Sequence, residues 1–134
     1  MLTDSHRNLA VKRTATGLGL FTLSPIRVGK RIIEYIGPLI TSEAAESRGG
    51  KYLFTVNEKL TIDGSARSNT ARYINHSCQP NAEAFTYGRR VWIYSKQALQ
   101  AGEQITIHYG EEYLNAHMKQ ADCKCEVCIS RRDP

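Results

Sequence analysis

Four cysteines constrain this chain most. Three crowd together as Cys123-Lys-Cys125-Glu-Val-Cys128, and the fourth, Cys78, lies in the run Arg72-Tyr-Ile-Asn75-His76-Ser77-Cys78-Gln-Pro80-Asn81. A C-x-C-x2-C triplet offers three thiolates, one short of the four that closed structural zinc sites use. Cys78 is the only other thiol in the sequence. If one metal joins all four, the tail is pinned against the segment that carries His76.

The rest of the composition bounds the fold without fixing it. A chain of 134 residues, 41% hydrophobic and 23% charged, suits one folded domain rather than a disordered segment. It has no apolar run near the roughly 18 residues of a membrane span, and no signal-peptide core is read in Asp4, Arg7, Lys12 and Arg13. An intracellular location is therefore expected, where clustered thiols bind metal in preference to forming disulfides. The net charge of +5 permits an acidic partner. The cations are scattered along the sequence, with Arg89-Arg90 and Arg131-Arg132 the densest runs. That scatter argues against nucleic acid as the primary partner.

The local pattern is many short strands cut by turn residues. Leu9–Arg13 and Leu18–Leu23 flank Thr-Ala-Thr-Gly, and Arg31–Ile36 stops at Gly37-Pro38. Thr41–Arg48 has the composition of a short helix closed by Gly49-Gly50. Tyr52–Val56 and Leu60–Ile62 read as strands around Asn57-Glu58-Lys59. Ala82–Tyr87 and Arg90–Lys96 form a hairpin over Gly88. Glu103–Tyr109 alternates, placing Ile105, Ile107 and Tyr109 on one face and Thr106 and His108 on the other. Glu111–Lys119 reads as a helix leading to the cysteines. The fold class is mainly β with short helices, and the absence of βαβ alternation excludes a doubly wound nucleotide fold.

Two motifs remain. In Gly17-Leu18-Gly19 two glycines let a backbone approach a neighbour with no Cβ in the way. It is no dinucleotide fingerprint, lacking a third glycine and a following long helix. In Arg72–Asn81, four polar or reactive side chains stand in a row, a poor strand and a poor helix. Turn chemistry accounts for Asn75 and Ser77, but not for a thiol matched by three more downstream.

Taken in order, these motifs resemble the SET-domain family of protein lysine methyltransferases. Gly17-Leu18-Gly19 resembles its first motif, and Tyr52-Leu-Phe54 the strand whose tyrosine lines the active site. Arg72–Asn81 is similar to its central motif, Gly102–Gly110 to the segment ending in its catalytic tyrosine, and the cysteine tail to its zinc-binding tail. The resemblance implies an N-terminal arm (1–8), a SET domain (9–115) and a post-SET zinc tail (116–130). It also implies small sheets around a threaded, knot-like core, a rare arrangement. It assigns Gly17, Leu18, Gly19, Arg72, Tyr73, Asn75 and His76 to S-adenosylmethionine, Tyr109 to catalysis, and Tyr52, Ile107 and Tyr109 to the lysine channel. Cys78, Cys123, Cys125 and Cys128 become zinc ligands, with a last gap shorter than is common in histone methyltransferases.

The implied reaction is attack of a lysine amine on a sulfonium methyl in a protein substrate, a histone among the candidates. Neutralising a free lysine at about pH 7.4 costs roughly 4 kcal/mol. A sulfonium about 4 Å away repels the ammonium by a similar ~4 kcal/mol at an effective dielectric of 20, so no dedicated carboxylate base is required. The aliphatic Ile107, two residues before Tyr109, stands where many relatives carry Phe or Tyr and favours di- or trimethylation. The other class of function is a non-catalytic zinc-stabilised module that binds peptide or nucleic acid; it would not bind S-adenosylmethionine. No membrane partner is expected. Location would be cytoplasmic for a bacterial source and nuclear or host-directed otherwise.

Overall fold

The structure is a computed structural model and describes residues 8–109. The helix expected over Glu111–Lys119 and the tail cysteines lie outside the described residues. No helix among the described residues is long and apolar enough to cross a membrane.

Two strands open the chain, β1 (Leu9–Thr14) and β2 (Gly17–Thr22), paired antiparallel from Leu9↔Thr22 to Thr14↔Gly17. The turn is closed by Thr14 Oγ1 donating to the Gly17 carbonyl at 2.7 Å. A three-stranded sheet follows the order β3-β9-β8, with β3 at Arg31–Tyr35, β8 at Ala82–Tyr87 and β9 at Arg90–Ser95. The hairpin over Gly88 matches the sequence reading. Its φ of +61° at Gly88, with no positive φ at any non-glycine residue among those described, is the type II′ pattern that follows strand twist.

The second three-stranded sheet runs β4-β6-β5. It comprises β4 (Leu39–Thr41), β5 (Leu53–Thr55) and β6 (Leu60–Asp63). The sequence reading has no strand at Leu39–Thr41, because three residues carry too little periodicity. Helix α1 (Ser42–Arg48) starts where composition placed it. Thr41 Oγ1 accepts from the Ala44 amide at 3.1 Å as N-cap, and Gly49 ends the helix at a φ of +69°. Arg48 reaches back to the Asp63 carboxylate and ties the helix to β6.

The core gathers where these sheets meet. Leu20, Ile32, Ile33, Ile62, Val91, Ile93, Leu99 and Ile105 are buried together with Ile74 and Ile107. A 3-10 turn (Thr70–Tyr73) leads into the two-residue β7 (Asn75–His76). Among the described residues the fold is thus mostly short strands with one short α-helix, in line with the mainly β class expected.

One expected strand is broken up. Glu103–Tyr109 is not continuous: only β10 (Thr106–Ile107) is strand, preceded by a bridge from Gln104 to Phe21. The segment changes partner as it runs. Ile105 N donates to the Leu20 carbonyl at 2.8 Å, Thr106 N to Asn81 Oδ1 at 2.9 Å, and then β10 pairs parallel with β7. It is enclosed on both sides, so Thr106 is buried along with Ile105 and Ile107, and simple alternation fails.

Candidate active site

The segment 72–76 is the centre of the site, and each of its residues is fixed for a physical reason. Asn75 Nδ2 donates to the Leu18 carbonyl at 2.9 Å and to Gln104 Oε1 at 2.8 Å. One amide thereby joins the first motif, the central motif and the stretch leading to Tyr109. Gly19 sits against this knot of bonds. A Cβ there would lie 2.5 Å from Gln104 Oε1 and 3.1 Å from Asn75 Nδ2. Gly19 is therefore glycine because protein packs on it. Gly17 differs: its φ is +122°, and a Cβ there would meet nothing within 4 Å. The backbone at Gly17 is open on that side, which suits the approach of a ligand.

His76 is buried, at 8% exposure. Its Nδ1 accepts the Tyr109 amide at 3.1 Å. Burial, then the neighbouring His108, pushes its pKa down to about 4. The ring is neutral at pH 7, with Nδ1 occupied as an acceptor and the proton on Nε2, which faces Cys78 Sγ at 3.4 Å. Held this way, the ring fixes the backbone at Tyr109. His108 stacks edge-on against it, the ring centres 4.7 Å apart.

Tyr109 is anchored at both ends. Its amide is held by His76, and its Oη donates to the Ile74 carbonyl at 2.6 Å. The phenol thus lies against the segment carrying Asn75 and His76. Ile107 lies beneath, buried, its carbonyl accepting the Ser77 amide at 3.0 Å.

Tyr52 meets segment 72–76 through Arg72. Its carbonyl accepts from Tyr35 Oη at 2.9 Å and from the Gly64 amide at 2.7 Å. The Arg72 guanidinium lies over the Tyr52 ring at 4.2 Å and the Tyr73 ring at 5.2 Å, and donates to the Ser65 carbonyl. Its Nε is buried with no hydrogen-bond partner among the described residues. Segment 72–76 therefore touches Tyr52 through Arg72 and Tyr109 through Ile74.

Of the expected metal ligands, Cys78 alone falls among the described residues, half-buried beside His76. Cys123, Cys125 and Cys128 lie outside them. Among the described residues no group of three or more His, Cys, Asp or Glu side chains gathers to hold a metal. An N–H donor beside a thiol favours its thiolate form, which is the form that binds a metal.

Three positioning residues escaped sequence reasoning. Asn81 donates to the Gln104 carbonyl at 2.8 Å and receives the Thr106 amide, clamping the segment before Tyr109. Gln104 receives Asn75. Asn69, fully buried, accepts the Ile36 amide at 3.1 Å and donates to the Gly64 carbonyl at 3.1 Å. Asn81 closes the motif run and carried a signal on that ground; Gln104 and Asn69 sit at no periodic position and carried none.

Comparison with known proteins agrees with this geometry. A sequence profile described as SET domain matches residues 17–110. The chain is 41% identical over 106 residues to the histone-lysine N-methyltransferase set-2 of Caenorhabditis elegans, covering 69% of this chain and 7% of that protein. It is 36% identical over 104 residues to the histone-lysine N-methyltransferase ATXR7 of Arabidopsis thaliana, covering 68% of this chain and 7% of the relative. An alignment of 143 positions to the histone-lysine N-methyltransferase 2D of Homo sapiens gives 34% identity, covering 97% of this chain and 3% of the relative. The chain thus spans only a small part of the length of these curated relatives. With the profile matched from the first glycine motif to the residue after Tyr109, the chain belongs to the SET-domain family.

Proposed function

We propose that this chain transfers methyl groups from S-adenosylmethionine to the side-chain amine of lysine in a protein substrate, and that this substrate is a histone. The observation that carries the reading is the placement of Tyr109. Its phenol is bonded to the Ile74 carbonyl and its amide to His76, beside the segment proposed to hold the cofactor. The relatives named as histone-lysine methyltransferases support the substrate class.

Gly17, Leu18, Gly19, Arg72, Tyr73, Asn75 and His76 are the residues that would hold S-adenosylmethionine, which when bound supplies an electrophilic methyl on a sulfonium. Asn75 and Gly19 fix the register of the two motifs that meet there. His76, neutral and buried, keeps the Tyr109 backbone in place. Tyr52 and Ile107 would wall the channel that admits the lysine, and the Tyr109 oxygen would direct an uncharged amine. None of these groups has to exchange a proton with solvent during turnover. Rigid alignment is therefore the chain's main catalytic contribution. Zinc held by Cys78, Cys123, Cys125 and Cys128 would bring the tail against the same segment.

The test is radiolabelled methyl transfer onto core histones and a cell lysate, followed by mass spectrometry of the labelled band. Label on lysine ε-nitrogen is expected. Label confined to other side chains or to small molecules would contradict the proposal. Ile107 makes a finer point: di- and trimethyl products are expected with excess cofactor, and monomethyl-lysine as the sole product would show that its aliphatic wall does not set the limit.

A further inference from the structure

The outer face of the β3-β9-β8 sheet lies apart from the Tyr109 site and is built for something else. Cross-strand pairing aligns Phe85 with Trp92, Glu83 with Tyr94, and Tyr87 with Arg90. Arg31 pairs with Tyr94, and Glu34 with Trp92. The inner partners Ala82, Ile33, Val91 and Ile93 are buried, so the other set faces solvent. Four of the chain's eleven aromatic side chains therefore share one outer face, with Phe85 41% and Tyr87 56% exposed.

The rings are ordered by their neighbours; Phe85 and Tyr87 stay exposed, and Trp92 and Tyr94 are half-buried between them. Phe85 and Tyr94 meet edge-to-face at 5.6 Å. The guanidinium groups of Arg31 and Arg90 lie over Trp92 at 4.3 and 5.0 Å. Glu34 is spent on a two-pronged bond to Arg90, leaving Glu83 as the other acid of this face.

Arg31 also lines a pocket of about 300 Å³ beside the sheet. Arg27 and Lys30 line it too, with Thr22, Ser24 and Ile26, and no acidic residue does among the described residues. The loop carrying the cations is fixed from below. Buried Ser95 donates its hydroxyl to the Arg27 carbonyl at 2.5 Å and accepts the Lys30 amide at 2.8 Å. The Ser95 backbone receives the Gly29 amide and donates to the Lys30 carbonyl. A basic cavity on a rigid loop leads, through Arg31, onto an aromatic platform. The cations are scattered in sequence, and the fold gathers them.

We infer that this surface binds single-stranded nucleic acid, with phosphates in the Arg27–Lys30–Arg31 pocket and bases on the exposed Phe85 and Tyr87 rings of the aromatic platform. The excess of cations complements a phosphate backbone, and exposed rings beside it stack on any base whose π-face is accessible. A duplex keeps its base faces inside the stack and has only its backbone to offer. The site is separate from the proposed methyl-transfer centre and stands or falls without it.

Trp92 is the chain's one tryptophan and pairs across the strands with Phe85, so its fluorescence reports on the platform. The full chain is titrated with dT12, rU12, a 12-base-pair duplex and inorganic tripolyphosphate, following Trp92 emission and the anisotropy of labelled oligonucleotide. Either single strand is expected to quench Trp92, with affinity falling at a log–log salt slope of about −2, as three phosphate contacts give. Arg27→Gln with Lys30→Gln should reduce that slope to about −0.7. Phe85→Leu should weaken binding roughly tenfold at constant slope. These residues are exposed, and circular dichroism checks that both variants fold. Quenching by dT12 alone or rU12 alone still supports the site and names the sugar. Duplex binding as tight as single-strand binding, equal quenching by tripolyphosphate, an unaltered slope in the double variant, or capture of acidic protein with no response to oligonucleotide would each overturn it.

Discussion

At the scale of single residues, the site depends on side chains that do one thing and are fixed for it. Tyr109→Phe removes the oxygen that reaches the Ile74 carbonyl and leaves the amide bond to His76. Turnover should fall ~100-fold or more with folding and cofactor binding preserved; turnover like that of the parent would remove Tyr109 from its role. Gly19→Ala places a methyl against Gln104 and Asn75. The bond between those two must yield, at a cost of about 1–3 kcal/mol read by thermal unfolding. An unchanged midpoint would mean that the motifs do not meet as described. Gly17 is a contrast: its need is for a positive φ, not for space. One G-x-G pair thus holds two glycines with different causes, and the letters alone did not separate them.

Among the elements, the loop-like run 72–81 and the broken strand 103–109 matter most. Asn81 holds the Gln104 carbonyl and the Thr106 amide. Asn81→Ala leaves both without that partner and should cost about 2–3 kcal/mol. Hydrogen exchange should then quicken first at Thr106; protection equal to the parent's would show that the clamp is dispensable. The sequence made the hairpin over Gly88 and the capped helix legible, because turn and cap residues act locally. It made Leu39–Thr41 illegible, since that strand exists only by pairing with β6. It misread Glu103–Tyr109 as one strand, because alternation assumes one buried face and this segment is enclosed by successive partners. The central motif was legible by resemblance; that Asn75 and Asn81 work as cross-links between segments was visible only in three dimensions.

For the whole molecule, the proposed metal joins a tail to the centre of the domain. Zinc analysis should find one ion per chain, and chelation should abolish methyl transfer while far-UV circular dichroism still shows the strand core. Structural zinc contributes on the order of 10 kcal/mol in small folded units, enough to hold a tail of this length in place. A zinc-free chain with full activity would break that link. The central claim is that the Asn75–His76 segment and the first glycine motif together hold S-adenosylmethionine. Isothermal titration of that cofactor into the folded chain and into Asn75→Ala tests it most directly. The account predicts one site in the parent and an affinity about tenfold weaker or worse in the variant. A well-folded parent that does not bind the cofactor, or a variant that binds it equally well, would contradict it.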